Sequence, residues 1–270
     1  MNWARIRVLV GQDLSTSFDS ASRLLLLSMF GVVFGTLLYQ LSTGGAIVLA
    51  QQQGALLASL FFEPKVAQAL FLTRSPTLSA TFIFILSSAP LFAMVGAASQ
   101  TSTDLKQRYI RFLLPRCTRA EIFSARLLGS VCVLWLLYLL VVLAAMVIAL
   151  QVDSTPSIEI IAYGLRILLT AWVYILPFVG ILALCTVLTG SSATAALIAA
   201  FIYTSLYLSI GFALWNWPTM DWLTYFLPGY LKPHLWQGEL QQLLPLMVWL
   251  LVYAAIWAGC GLALYRRKAL

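Results

Sequence analysis

Leu127–Leu150 reads LLGSVCVLWLLYLLVVLAAMVIAL, an apolar run with no charged residue and no alternation of polar with apolar positions. In lipid an isolated segment must satisfy its own backbone hydrogen bonds, which a helix does and a lone strand does not. A strand of a membrane barrel would alternate over about ten residues. Crossing a hydrocarbon core of ~30 Å takes about 20 helical residues. Working outward from this run, five more blocks meet that requirement, at 24–41, 78–99, 167–188, 193–214 and 246–265. The expectation is an all-α, polytopic membrane protein with six transmembrane helices, residues 1–270 forming a single transmembrane domain.

Composition agrees. Hydrophobic residues make up 61% of the chain, charged residues 9%, and the mean hydropathy is +0.93, whereas a soluble domain carries about 25% charged residues. Residues 46–62 are apolar enough to suggest another span, but Gln51, Gln52 and Gln53 interrupt them. An extra crossing would also separate the amino-terminal arginines from the later Arg-rich loop. One or two interfacial amphipathic helices, at 46–62 and 65–73 and broken at Pro64, fit better. Residues 1–23 do not read as a signal peptide, since Arg5 and Arg7 lead into polar sequence rather than an apolar core.

The cations set the orientation. Of the 16 Lys and Arg residues, Arg5, Arg7, Arg23, Lys106, Arg108, Arg111, Arg116, Arg119, Arg126, Arg266, Arg267 and Lys268 fall in one set of loops; Lys65, Arg74, Arg166 and Lys232 fall in the other. Positive loops stay in the cytoplasm, which puts both termini and the 100–126 loop inside. The net charge of +7 then reflects topology and needs no nucleic acid. Cys117, Cys132, Cys185 and Cys260 fall in that cytoplasmic loop or in cytoplasmic halves of spans, where thiols stay reduced. Their spacing does not read as a metal site.

Three segments outside the spans carry information. In the amino-terminal segment Trp3, Ile6, Val10, Leu14 and Phe18 recur on one helical face, as in a helix lying in the interface plane. Such a helix is either a simple anchor or a lever packed beside the cytoplasmic loop. The loop itself, Gln100–Arg126, reads QTSTDLKQRYIRFLLPRCTRAEIFSAR. The second span is expected to continue past the membrane through Asp104 and Arg111, and Pro115 ends it. Thr118 and Glu121 form a capping box, so a new helix starts there and runs into the third span. A charged helical hairpin of this kind suits a docking surface, whereas a plain topology signal needs fewer cations. The last outer loop, Trp215–Leu244, is crowded with Trp and Tyr and broken by Pro218, Pro228 and Pro233. It reads as an interfacial belt rather than a cage for an organic cation.

Apart from Arg166, at the edge of the fourth block, the six blocks hold no Asp, Glu, Lys, Arg or His. Coupling ions or protons to transport ordinarily requires such groups in the spans. Ser191 and Ser192 have no base in reach, because His234 lies in a loop assigned to the other side, so an intramembrane serine protease is rejected. The chain contains no Gly-x-x-x-x-Gly-Lys phosphate loop. Energy for transport must then come from a partner.

With these features the sequence resembles the membrane (permease) subunit of an ABC-2 type ATP-binding-cassette transporter. The resemblance rests on the interfacial amino-terminal helix, the six spans, and a hairpin matched through Asp104, Lys106, Arg108, Arg111, Leu113, Leu114, Pro115, Arg116, Ile122 and Arg126, with Phe226–Leu231 before the last span. It implies a bacterial inner-membrane exporter that moves its substrate by alternating access. A separate ATPase subunit, holding ATP and magnesium, would dock on Asp104, Lys106, Arg108, Arg111, Pro115, Arg116, Arg119 and Glu121. This chain itself would bind no cofactor and catalyse nothing. A second copy, or a homologous permease, is also implied; Gly31 and Gly35, with Ala255 and Gly259, are small-residue pairs suited to close packing of helices. Tyr203, Thr204, Ser205 and Tyr207 are candidates for a substrate path, although helical spacing keeps them from facing it together. An ion-coupled carrier, or a scaffold or assembly factor of a membrane complex, is the alternative reading.

Overall fold

The computed structural model describes residues 3–15, 21–45, 48, 70–71, 74–106, 117–237 and 240–267. Helix α1 spans Trp3–Ser15 and α2 spans Ala21–Gln40, closing in a π-helical turn at Leu41–Gly45. Then follow α3 (Pro76–Lys106), α4 (Arg119–Val152), α5 (Ser157–Thr189) and α6 (Ser192–Asn216). Two 3₁₀ segments, Pro218–Phe226 and Pro228–Leu231, lead to the short α7 (Lys232–Gln237) and to α8 (Leu240–Arg267). Six helices are long and apolar enough to cross a bilayer, in the windows Leu24–Gly45, Pro76–Ala97, Arg119–Val152, Ser157–Thr189, Ser192–Asn216 and Leu243–Arg267. Each contains or closely matches one of the six blocks, and no strand occurs among the described residues. The interfacial helices expected at 46–62 and 65–73 fall almost wholly outside the described residues.

Local sequence explains where the helices stop. At the end of α5, Gly190 adopts the left-handed conformation (φ 68°), which costs glycine nothing, and its N–H donates to the Thr186 carbonyl at 2.9 Å. The hairpin into α6 is therefore only Gly190 and Ser191. The Thr189 and Thr194 hydroxyls both donate to the Ser191 carbonyl, at 3.1 and 3.2 Å.

Helix α5 is the central pillar. It packs against α3, α4, α6 and α8 and is buried nearly all round from Thr170 to Val187, while Ile161, Leu165 and Leu169 leave one face of its first half exposed. Lipid is as apolar as leucine, so such helices associate through close packing and polar links rather than hydrophobic exclusion. Both devices are present. A Cβ on Gly180 would lie 3.0 Å from the Ala254 carbonyl oxygen, and one on Gly261 would lie 3.4 Å from the Leu184 backbone, so α5 and α8 touch main chain to main chain. Between α4 and α5, Trp135 and Trp172 stack at 5.1 Å, and each indole N–H donates to the other's carbonyl, at 3.1 and 3.2 Å. Helix α2 joins through Phe30 and Phe34, which meet Phe92 of α3 and Tyr138 of α4. By contrast α6 buries little beyond Ala195, Ala199 and Ile210, leaving Leu197, Phe201, Leu208 and Phe212 exposed.

Gly180 and Gly31 should therefore respond oppositely to substitution. Gly180→Leu forces α5 off α8 and should cost on the order of 1–3 kcal/mol. Gly31→Ala meets nothing within 4 Å and should be neutral or gain up to ~1 kcal/mol of helix propensity. Thermal unfolding of the detergent-purified variants checks the contrast, and equal behaviour would contradict the α5–α8 contact.

Candidate functional site

The start of α4 gathers the first and last described helices. Thr118 caps the helix: its side chain accepts from the Glu121 N–H at 3.3 Å, while the Glu121 carboxylate accepts from the Thr118 N–H at 2.9 Å. Two donors at the helix start are satisfied reciprocally, as the Thr-x-x-Glu spacing requires. Glu121 is only 3% exposed, so its charge needs further company. Arg5 of α1 supplies it at 3.9 Å, from a half-exposed position where screening holds the pair to about 1 kcal/mol or less.

The rest of the junction is apolar. Ile6 and Leu9 of α1 pack on Ala125, with Val10, Cys117 and Leu128 around them. The amino-terminal helix is thus packed against the start of α4, beside the loop. Its buried face differs from the expected stripe, for Leu9 is buried while Trp3 is exposed. From the far end of the chain, the Arg266 carbonyl accepts from the Arg119 guanidinium at 3.3 Å, and Tyr265 meets the Phe123 ring at 5.7 Å. Arg126 lines a narrow crevice with Ala97, Ser130 and Val179, so it faces into the bundle.

Of the residues expected to dock a partner, Glu121 and Arg119 are fasteners within the chain. Asp104 and Lys106 lie in the last turns of α3, as the expected continuation of the second span requires. Arg108, Arg111, Pro115 and Arg116 lie outside the described residues.

The opposite, aromatic end is held by side chains that bridge helices. Asp153, just past α4, takes the Ser75 hydroxyl on Oδ2 and the Thr77 hydroxyl on Oδ1 at 2.7 Å, and the Thr77 N–H reaches Oδ2 at 3.4 Å. A carboxylate from one span thereby serves the first turn of α3, where the helix dipole favours negative charge. Arg74 donates to the Trp236 carbonyl at 3.1 Å and lies over the Tyr163 ring at 5.3 Å, and Arg166 donates to the Leu235 carbonyl at 3.5 Å. Both guanidiniums thus hold carbonyls at the end of α7. Arg166 lies within α5, and its bond to the Leu235 carbonyl is tertiary.

Aromatic rings connect the core to this end. Tyr174 meets Phe178 at 5.2 Å, Phe178 meets Tyr203 at 5.3 Å, Tyr203 meets Tyr207 at 6.4 Å, and Tyr207 stacks on Tyr230 at 4.6 Å. The Tyr230 hydroxyl donates to the Tyr207 carbonyl at 2.9 Å. Burial, and secondly Tyr207, push the Tyr230 phenol above its ordinary range, while burial pushes the Lys232 ammonium down. Of the four polar residues singled out on α6, Tyr203 and Tyr207 join the column, and both Tyr207 and Thr204 are exposed. Sequence reasoning missed Tyr138 and Tyr174, whose buried hydroxyls have no hydrogen-bond partner among the described residues. Only their position in otherwise apolar runs could have flagged them.

The cap at Thr118 and Glu121 gives a direct test. Thr118→Ala and Glu121→Ala should each lower stability by about 1 kcal/mol. The double variant should lose less than the sum, because both act in one box; strictly additive losses in thermal unfolding would show that the side chains act separately. No protein-family model and no curated protein sequence matches the chain.

Proposed function

We propose that this chain is the membrane permease subunit of an ABC-2 type transporter, an exporter that works as paired copies above separate ATPase subunits. The course of α4 carries the reading. It is one helix of 34 residues with no internal proline, about 51 Å long at 1.5 Å per residue, against a hydrocarbon core of ~30 Å. Its capped first turn is the descending limb of the 104–126 hairpin, and Asp153 at its far end grips the start of α3. A push on the hairpin therefore reaches the opposite end of the bundle through one rod. Helix α1 and the end of α8 are fastened to the same first turn, so they move with it.

In this reading the ATPase docks on Asp104, Lys106, Arg108, Arg111, Pro115 and Arg116, while Arg119 and Glu121 keep the limb attached to the bundle. ATP and magnesium act on the partner, and this chain contributes motion and a path. Open space over Gly31 and Gly35 supports packing of a second copy there. The 12-to-4 cation division (the twelve and four residues named above, of 16) supports termini on the cytoplasmic side of a bacterial inner membrane.

Exposed charges contribute modestly one at a time, so several are reversed together. Changing Arg108, Arg111 and Arg116 to Glu should leave insertion intact and abolish co-purification with the ATPase. Normal transport by that triple variant would reduce the hairpin to a topology signal. Orientation is tested separately in intact cells: cysteine at Ser157 or Gln237 should react with an impermeant thiol reagent, and cysteine at Thr103 or Ala269 should not. The reverse pattern would overturn the assignment of sides.

A further inference from the structure

A cavity of about 280 Å³ opens at the aromatic end, lined by Arg74, Ser75, Thr155, Glu159, Ala162, Tyr163 and Arg166. We infer that it binds the phosphodiester of an anionic lipid headgroup. The inference does not depend on the permease reading.

Two guanidiniums from different elements line one cavity, the planar donor geometry suited to phosphate. Both are positioned in advance, Arg74 by the Trp236 carbonyl and the Tyr163 ring, Arg166 by the Leu235 carbonyl. Little side-chain freedom then remains to be lost on binding. The Trp236 carbonyl takes a single Arg74 N–H, and a guanidinium has five. The nearby Asp153 carboxylate is engaged by Ser75 and Thr77 on both oxygens, which leaves Glu159 as the carboxylate in the lining.

The surroundings favour a lipid over a soluble anion. Ile158, Ile161 and Leu165 stand one position before Glu159, Ala162 and Arg166 on α5, and all three are exposed. They form an apolar strip beside the charged cavity at helical spacing. Trp215, Trp217 and Trp222, also exposed, belong to the same end of the bundle, and such rings settle at headgroup level. Sites for drug-sized ligands occupy about 300–1,000 Å³, so this cavity suits a headgroup, with the acyl chains left along the strip.

The full-length protein in neutral detergent would be titrated with phosphatidylglycerol, phosphatidylcholine and inorganic phosphate. Native mass spectrometry reads retained lipid, and the melting temperature reads stabilisation. Phosphatidylglycerol should bind about tenfold tighter than phosphatidylcholine, and Arg74→Gln should remove about that factor. Glu159→Gln, at an exposed position, should strengthen phosphatidylglycerol binding by removing a like charge. Ala162→Phe should block it by filling the cavity. The opposite signs expected for Arg74 and Glu159 separate recognition from a general loss of structure. Should Arg74→Gln fail to fold, the two exposed positions still decide the matter. Equal binding of the two lipids, or no response to Glu159→Gln and Ala162→Phe, would overturn the inference. Inorganic phosphate matching phosphatidylglycerol would overturn the lipid as its source.

Discussion

A polar group inside hydrocarbon has no water to bond, and leaving one unsatisfied costs several kcal/mol. That constraint makes the spans helical and then governs their details. Hydroxyls on the helices turn back to their own carbonyls: Thr36 to Val33, Ser88 to Phe84, Thr170 to Arg166 and Thr186 to Ala183. Indole N–H groups reach across instead, as in the reciprocal bonds of Trp135 and Trp172. Helix ends are closed by the Thr118–Glu121 box, by left-handed Gly190 and by the Asp153 carboxylate on Thr77. Against this background the buried hydroxyls of Tyr138 and Tyr174, which have no hydrogen-bond partner among the described residues, carry a polar cost in the core.

The two ends of the bundle are built differently. Where the first and last described helices meet, fastening is local to one helix start, with α1, the cap and the end of α8 converging on the first two turns of α4. At the other end the links run between distant parts of the chain, from Asp153 to α3 and from Arg74 and Arg166 to α7. Helix α4 joins these regions as a single element. The two ends are therefore linked without an intervening loop.

The charged residues divide by the work they do. Glu121 and Arg119 look like surface charge in the sequence but are engaged within the bundle. Arg74 and Arg166 count only as two of the minority cations in a topology argument, yet they line a shared cavity. The difference is geometric, since Arg119, Arg74 and Arg166 each donate to a carbonyl far along the chain and Glu121 faces Arg5 of α1.

By itself the sequence determined the number of long apolar helices, the start of α4 and the short connection between the fourth and fifth blocks. Those features depend on hydropathy summed over neighbours, on Thr-x-x-Glu spacing and on glycine's access to positive φ, all local properties. Only the tertiary structure decided which helix is central, which glycines face a neighbour and where α1 lies. Gly31, Gly35 and Gly259 would meet nothing with a Cβ, whereas Gly180 and Gly261 lie against another main chain, and nothing in their local sequence separates the two groups. The physical reason is that lipid and a neighbouring helix are equally apolar. A leucine facing either satisfies the same pattern, so the inward face of a membrane helix is settled by packing between segments remote in sequence.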